Sequence, residues 1–93
     1  MNISQHARKL AKDLDLSDAD AAIMELKSLL YERAAQTIQQ SGESHEAIAA
    51  KLGTSRARIT RVSNKGENSI SIDLLLKIIV VLEKKIPVRL VAA

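Results

Sequence analysis

Residues 44–66 read SHEAIAAKLGTSRARITRVSNKG, and the order of residue types predicts a helix, a tight turn and a second helix. Ser44 is a favoured N-cap, and Glu46 puts a negative charge in the first turn, where the helix dipole favours it. Ala47, Ile48, Ala49 and Leu52 follow at helical spacing. Gly53 then ends the helix, because a left-handed backbone conformation carries little penalty for glycine. Thr54-Ser55 supplies a second N-cap. The two helices are expected at about 44–52 and 55–64. Ile59 and Val62 form a face that packs back on the first helix, and Arg56, Ala57, Thr60 and Arg61 share most of another face.

Steric demands explain these choices. Two helices joined by so short a turn cross steeply and approach closely. Ala49 permits the approach, Gly53 accommodates the turn, and Ile48, Leu52, Ile59 and Val62 fill the crotch. The second helix keeps an exposed basic edge of the kind that enters a DNA major groove. From Ala49, the key residues fall at +4 (Gly53), +10 (Ile59) and +13 (Val62), and this four-position match is the signature of a helix-turn-helix.

The stretch resembles the Cro-like and phage-repressor-like (XRE) helix-turn-helix domains. Their pattern runs roughly Thr-Gln-x-x-Leu-Ala-x-x-Leu-Gly, followed by Ser and Ile/Val-Ser-Arg. Here it stands as Ser44-His45-Glu46-Ala47-Ile48-Ala49-Ala50-Lys51-Leu52-Gly53, then Ser55 and Ile59-Thr60-Arg61-Val62. Family members often carry Gln where His45 stands, and that Gln commonly helps anchor the DNA backbone. The run from Asn68 to Ile78 is similar to the "FSLERLLR" stretch of a small-protein branch that includes HigA-like antitoxins, and Leu14-Asp15-Leu16-Ser17-Asp18-Ala19 is similar to its "DLGLPDA" opening. The resemblance covers about residues 13–91. It implies an all-α, lambda-repressor-like bundle and DNA binding.

Composition narrows the function classes. Ninety-three residues make one domain with a modest core. There is no cysteine, hence no disulfide framework or thiolate metal site. Residues 1–16 lack the apolar core of a signal peptide, and the longest apolar run, 78–82, is too short for a bilayer; a bacterial-type cytoplasm is expected. Net charge is +3, but it is segregated. Asp13, Asp15, Asp18, Asp20 and Glu25 fall in a stretch without a base, and Lys51, Arg56, Arg58, Arg61 and Lys65 in one without an acid. His6 and His45 are the only histidines and have no metal-ligand spacing. No triad and no Gly-rich phosphate loop is present. The expectation is a protein that is not an enzyme and has no cofactor and no metal.

Around the motif, residues 1–16 form an N-terminal arm or short helix, with Ile3, Ala7, Leu10 and Leu14 at heptad-like spacing. Two readings stand: a terminus that frays or docks, or a basic arm whose Arg8, Lys9 and Lys12 touch phosphate. Residues 17–85 form the helix-turn-helix domain. Ser17 caps a long helix to about Gln40, with Asp20 as capping-box partner. Its expected buried stripe is Ala22, Leu26, Leu29, Ala34 and Ile38, and Tyr31 packs with its hydroxyl at the surface. Ser71 caps a last helix whose core face is Leu74, Leu75, Ile78, Ile79 and Leu82. After Pro87 stops helical structure, residues 86–93 alternate as a strand does, with Ile86, Val88 and Leu90 on one side. A lone strand leaves its backbone unpaired. The same strand of a second copy, antiparallel about a two-fold axis, completes it and yields a homodimer suited to palindromic DNA. Pairing with residues 2–4 of the same chain is the alternative.

Roles follow from position on the second helix. Arg56, Ala57, Thr60 and Arg61 are expected to contact bases: the arginines suit guanine, Ala57 a thymine methyl, and Thr60 a base or phosphate. Ser44, His45, Lys51, Ser55, Arg58 and Lys65 are expected to contact phosphate. Ile86, Val88 and Leu90 are the dimerisation residues. The leading function is a sequence-specific DNA-binding regulator, acting as a repressor on a palindromic double-stranded site. The alternative is an antitoxin that binds a toxin protein and autoregulates its operon. RNA is a third choice, because with one Tyr and no Phe or Trp the chain lacks stacking platforms for single-stranded bases.

Overall fold

A serine stands at the N-cap of every helix delimited in the computed structural model, which describes residues 9, 17–66 and 69–85. The helices are α1 Asp18–Gln40, α2 His45–Leu52, α3 Arg56–Ser63 and α4 Ile72–Glu83, and no strand occurs among the described residues. Each capping hydroxyl accepts a backbone N–H of its helix's first turn: Ser17 from Asp20 at 3.1 Å, Ser44 from Ala47 at 3.0 Å, Ser55 from Arg58 at 3.1 Å and Ser71 from Leu74 at 3.2 Å. A cap of this kind contributes about 1 kcal/mol. Ser17 also donates to the Asp20 carboxylate at 2.8 Å. The capping-box pair therefore meets side chain to side chain.

The short helices α2 and α3 are too short to persist alone. Burial against α1 and α4 stabilises them. α1 packs on α4 and on α3, and α2 packs on α3 and on α4. One core joins Leu30, Ala34 and Ile38 of α1, Ile48, Ala49 and Leu52 of α2, Ile59 and Val62 of α3, and Leu75, Ile78 and Ile79 of α4, with Ile70 from the preceding loop. Full burial of one such aliphatic side chain contributes about 1.5–3 kcal/mol.

The expected α1 stripe is wrong by one residue at Leu29, which is 59% exposed. The reason is helical phase. Counting back from Ile38 and Ala34 in steps of four reaches Leu30, which is buried, and not Leu29. Ala21 is fully buried, whereas Ala22 and Leu26 are half-buried. In α4, Leu75, Ile78 and Ile79 are buried, and Leu74 and Leu82 border the core.

Two lysines end helices in the left-handed conformation. Lys65 has φ 55° and Lys84 has φ 61°. After α3, Gly66 N–H reaches the Arg61 carbonyl at 2.9 Å and Lys65 N–H reaches that of Val62 at 3.1 Å, a Schellman pair. The left-handed residue is thus Lys65, and Gly66 follows it. α4 closes on Lys84, whose N–H meets the Val80 carbonyl at 2.8 Å, so the helix stops before Pro87. The arm over 1–16, save Lys9, which is helical and exposed, and the expected strand of Ile86, Val88 and Leu90 lie outside the described residues. No helix among the described residues is long and apolar enough to cross a membrane.

A polar tie fastens α1 to α4 beside this core. The Arg33 guanidinium grips the Glu83 carboxylate with two bonds, Nε at 2.7 Å and Nη2 at 2.5 Å. The Thr37 hydroxyl lies 2.6 Å from the same carboxylate and 2.8 Å from the Arg33 carbonyl. Hydrogen bonds from Arg33 and Thr37 hold the Glu83 carboxyl at a pKa of about 2, below its ordinary value.

Candidate nucleic-acid interface

The turn between α2 and α3 sets the site. Gly53 takes φ 68° and ψ 33°. Thr54 N–H then reaches the Ala49 carbonyl at 3.0 Å and Gly53 N–H that of Ala50 at 3.4 Å, which closes α2 as a Schellman end. Ser55 immediately restarts the chain as the cap of α3. A β-carbon built on Gly53 would meet nothing within 4 Å. The demand for glycine is conformational, not steric.

α3 has two faces made of different residues. Ile59, Val62 and Ser63 are buried. Arg56, Ala57, Arg58 and Arg61 are exposed, and Thr60 is half-buried at the boundary. The helix contains no acidic residue. Its outward side therefore carries three guanidiniums over two turns, planar donors suited to guanine edges and phosphate oxygens.

The carbonyl end of α3 is tethered to α1. Gln39 donates its amide N–H to the Ser63 carbonyl at 2.7 Å, and the Tyr31 hydroxyl reaches the Arg61 carbonyl at 3.4 Å. Lys77 of α4 donates to the Leu52 carbonyl at 3.0 Å, satisfying the end of α2. These groups answer the orphan carbonyls of two helix ends. Gln39, Tyr31 and Lys77 position the interface without belonging to its face, and sequence reasoning assigned none of them this role. The pairs are 24, 30 and 25 residues apart along the chain, and no local pattern marks such separations.

The structure places the expected phosphate-contacting residues in three different situations. Ser44 and Ser55 are exposed. Each uses an oxygen lone pair for its cap and retains an O–H to donate. Lys51 forms an ion pair with Glu43, and Lys65 lies 4.0 Å from Glu32. For these two lysines an incoming anion competes with a carboxylate already in place. Glu43, just ahead of the Ser44 cap, was not foreseen as a partner. Arg58, exposed on α3, stands open to solvent as the two serines do.

His45 is the third case. It is the first residue of α2, half-buried, with its Nδ1 2.8 Å from the Thr60 Oγ1. One residue expected at the phosphate backbone is thereby linked to one expected at a base. Among the described residues, no group of three or more His, Cys, Asp or Glu side chains is placed to hold a metal.

The sequence matches the helix-turn-helix domain family over residues 14–90, most of the chain. Comparison with curated proteins and with solved structures finds no match. The tight left-handed turn at Gly53, the buried crotch of Ile48, Ala49, Leu52, Ile59 and Val62, and this family match agree. The chain belongs to the helix-turn-helix domain family, and its biochemical class is DNA binding.

Proposed function

We propose that the protein is a sequence-specific transcriptional regulator of the XRE type, a repressor that binds palindromic double-stranded DNA as a homodimer. The observation that carries this reading is the division of α3. Ile59 and Val62 seat it in the core while Arg56, Ala57 and Arg61 stand exposed on a helix without acids. In this reading Arg56 and Arg61 engage guanine, Ala57 a thymine methyl and Thr60 a base edge, while Ser44, His45, Ser55 and Arg58 hold phosphate. Lys51 and Lys65 join them on exchanging their carboxylate partners for phosphate. The dimer forms through Ile86, Val88 and Leu90. The reading assigns no catalysis and no cofactor.

A second reading, an antitoxin of the HigA-like branch that silences a toxin protein, draws on Ile23 and Leu29 of α1. They are 53% and 59% exposed, which is more apolar surface than DNA contact requires. Discovery of a toxin reading frame beside the gene would favour this second reading, and its absence the first.

Fluorescence anisotropy on a duplex selected from a random pool tests the leading function. Affinity is expected to fall with salt, at a log–log slope of about −0.9 per phosphate contact. Arg56→Ala and Arg61→Ala are each expected to cost about 1–3 kcal/mol on the selected site and to relax base preference there. No binding at low salt, or both variants keeping full affinity and unchanged preference, refutes this docking.

A further inference from the structure

We propose that His45 is a positioning residue that fixes the hydrogen-bond polarity of Thr60, so that α3 selects an exocyclic amino group, adenine N6 or cytosine N4, at the base Thr60 faces. The inference rests on the DNA-reading role proposed for α3 and specifies what one position of that helix recognises.

The geometry is a single short contact with large consequences. His45 Nδ1 and Thr60 Oγ1 stand 2.8 Å apart, across the turn that joins α2 to α3. Both side chains are half-buried. Neutral imidazole has one N–H and one bare nitrogen, and the partner of each nitrogen decides which is which. In the proposed docking, a phosphate beside the start of α2 offers only acceptor oxygens and meets the nitrogen that Thr60 does not, so Nε2 carries the proton. Nδ1 is then the bare acceptor. Thr60 has one hydroxyl proton, and it goes to Nδ1. What Oγ1 has left for DNA is its lone pairs.

An oxygen that can only accept discriminates sharply in the major groove. Guanine shows N7 and O6 there and thymine shows O4, all acceptors; only adenine N6 and cytosine N4 donate. A threonine without this partner rotates its hydroxyl to donate or accept and distinguishes little. Bound to His45, it accepts. The phosphate thus sets the imidazole, the imidazole sets the hydroxyl, and the hydroxyl selects the base. His45 in this arrangement serves base selection as well as backbone anchoring.

The test is selection of duplexes from a random pool by the full-length protein and five variants, followed by titration of the selected site with each base at the position concerned. The wild type is expected to enrich adenine or cytosine at one position of each half-site. Thr60→Val removes the hydroxyl but keeps the shape, and His45→Leu removes the acceptor. Each is expected to flatten that one position by about two- to tenfold, the worth of one hydrogen bond, and the double variant is expected to lose no more than either single one. His45→Gln is expected to restore the preference, because its amide oxygen accepts from Thr60 while its NH₂ donates to phosphate. Thr60→Ser is expected to keep it as well. Melting curves identify any variant that fails to fold, and His45→Gln and Thr60→Ser still decide the matter in that event. A wild-type preference for guanine or thymine, an unchanged consensus with Thr60→Val, or an equal loss on all four bases with His45→Leu overturns the inference while leaving DNA reading intact. A wild type that enriches no duplex overturns both.

Discussion

Replacing Gly53 tests whether the turn is held by backbone conformation alone. Gly53 sits at φ 68°, and a β-carbon there has open space for 4 Å around it. A clash can therefore contribute nothing to the penalty of Gly53→Ala, and what remains is the left-handed conformation. For an L-residue that conformation costs about 1–2 kcal/mol. Alanine also restricts the unfolded chain, which returns about 0.4–1 kcal/mol. The net expectation is a loss of about 1 kcal/mol, or about 4–8 °C in melting temperature for a domain of this size. Gly53→Val adds the difficulty of a β-branched residue at positive φ and is expected to lose more. Gly53→Asn, which tolerates this region better, is expected to lose less. The reverse exchange, Lys65→Gly at φ 55°, relieves the same strain at the smaller cost of freeing the unfolded chain, so its melting temperature should rise by a few degrees. Thermal unfolding followed by circular dichroism at 222 nm reads all four. Equal melting of Gly53→Ala and wild type would show that the turn does not hold the left-handed geometry. A loss as large with Asn as with Val would mean that space, not conformation, is limiting.

Glu83 gives a pH signature. Its folded pKa of about 2 lies below the ordinary carboxylate value, so its contribution to stability is complete above about pH 4.5, declines below that, and is gone once the pH has fallen through about 2. Because Arg33 is exposed, solvent screens the pair and the effect is expected to be small. Denaturant midpoints measured between pH 2 and 7 should flatten in Glu83→Gln; an identical profile for the two proteins would refute the tie. Truncation after Lys85 is expected to leave helix content intact and to give a monomer by light scattering. Its affinity should fall strongly on a two-half-site duplex and little on one half-site, because paired reading helices enter grooves about 34 Å apart and the second engagement is intramolecular. A truncated protein that stays dimeric would remove Ile86, Val88 and Leu90 from the interface. Gln39→Ala leaves the Ser63 carbonyl without its donor and is expected to cost about 1–3 kcal/mol; unchanged hydrogen exchange at the end of α3 would contradict that tether.

Local chemistry is what the sequence made legible. All four N-caps, the glycine turn and the two-faced second helix rest on interactions within a few residues, and pattern reading sees those. Leu29 shows the limit. Over a helix as long as α1, the apolar residues at 26, 29 and 30 fit two adjacent stripes, and only packing against α3 and α4 chooses Leu30. Lys65 shows another. Gly66 looks like the natural left-handed residue, but the Schellman bonds fall one residue earlier, because the register of Ile59 and Val62 in the core fixes where α3 must end. The site residues divide in the same way. Exposure of Arg56, Ala57 and Arg61 follows from helical period, whereas the partners of Lys65 and His45 come from elements brought together only by folding.

The separation of α3 into a seated face and an open face has an evolutionary corollary. Ile59, Val62 and the carbonyl tethers from α1 hold the helix, and the tethers meet its backbone, at Arg61 and Ser63, rather than its outward side chains. Exposed substitutions away from buried features usually stay within about 0.5 kcal/mol, so Arg56 and Ala57 can drift almost without structural consequence. If the proposed docking holds, a duplicated copy of this gene can thus acquire a different address through a few codon changes while its scaffold stays put. Thr60 is the exception. Bound to His45, it is under the proposed docking a letter that changes cleanly only when a residue in the neighbouring helix changes with it, and paired variation at 45 and 60 is the trace such a history would leave.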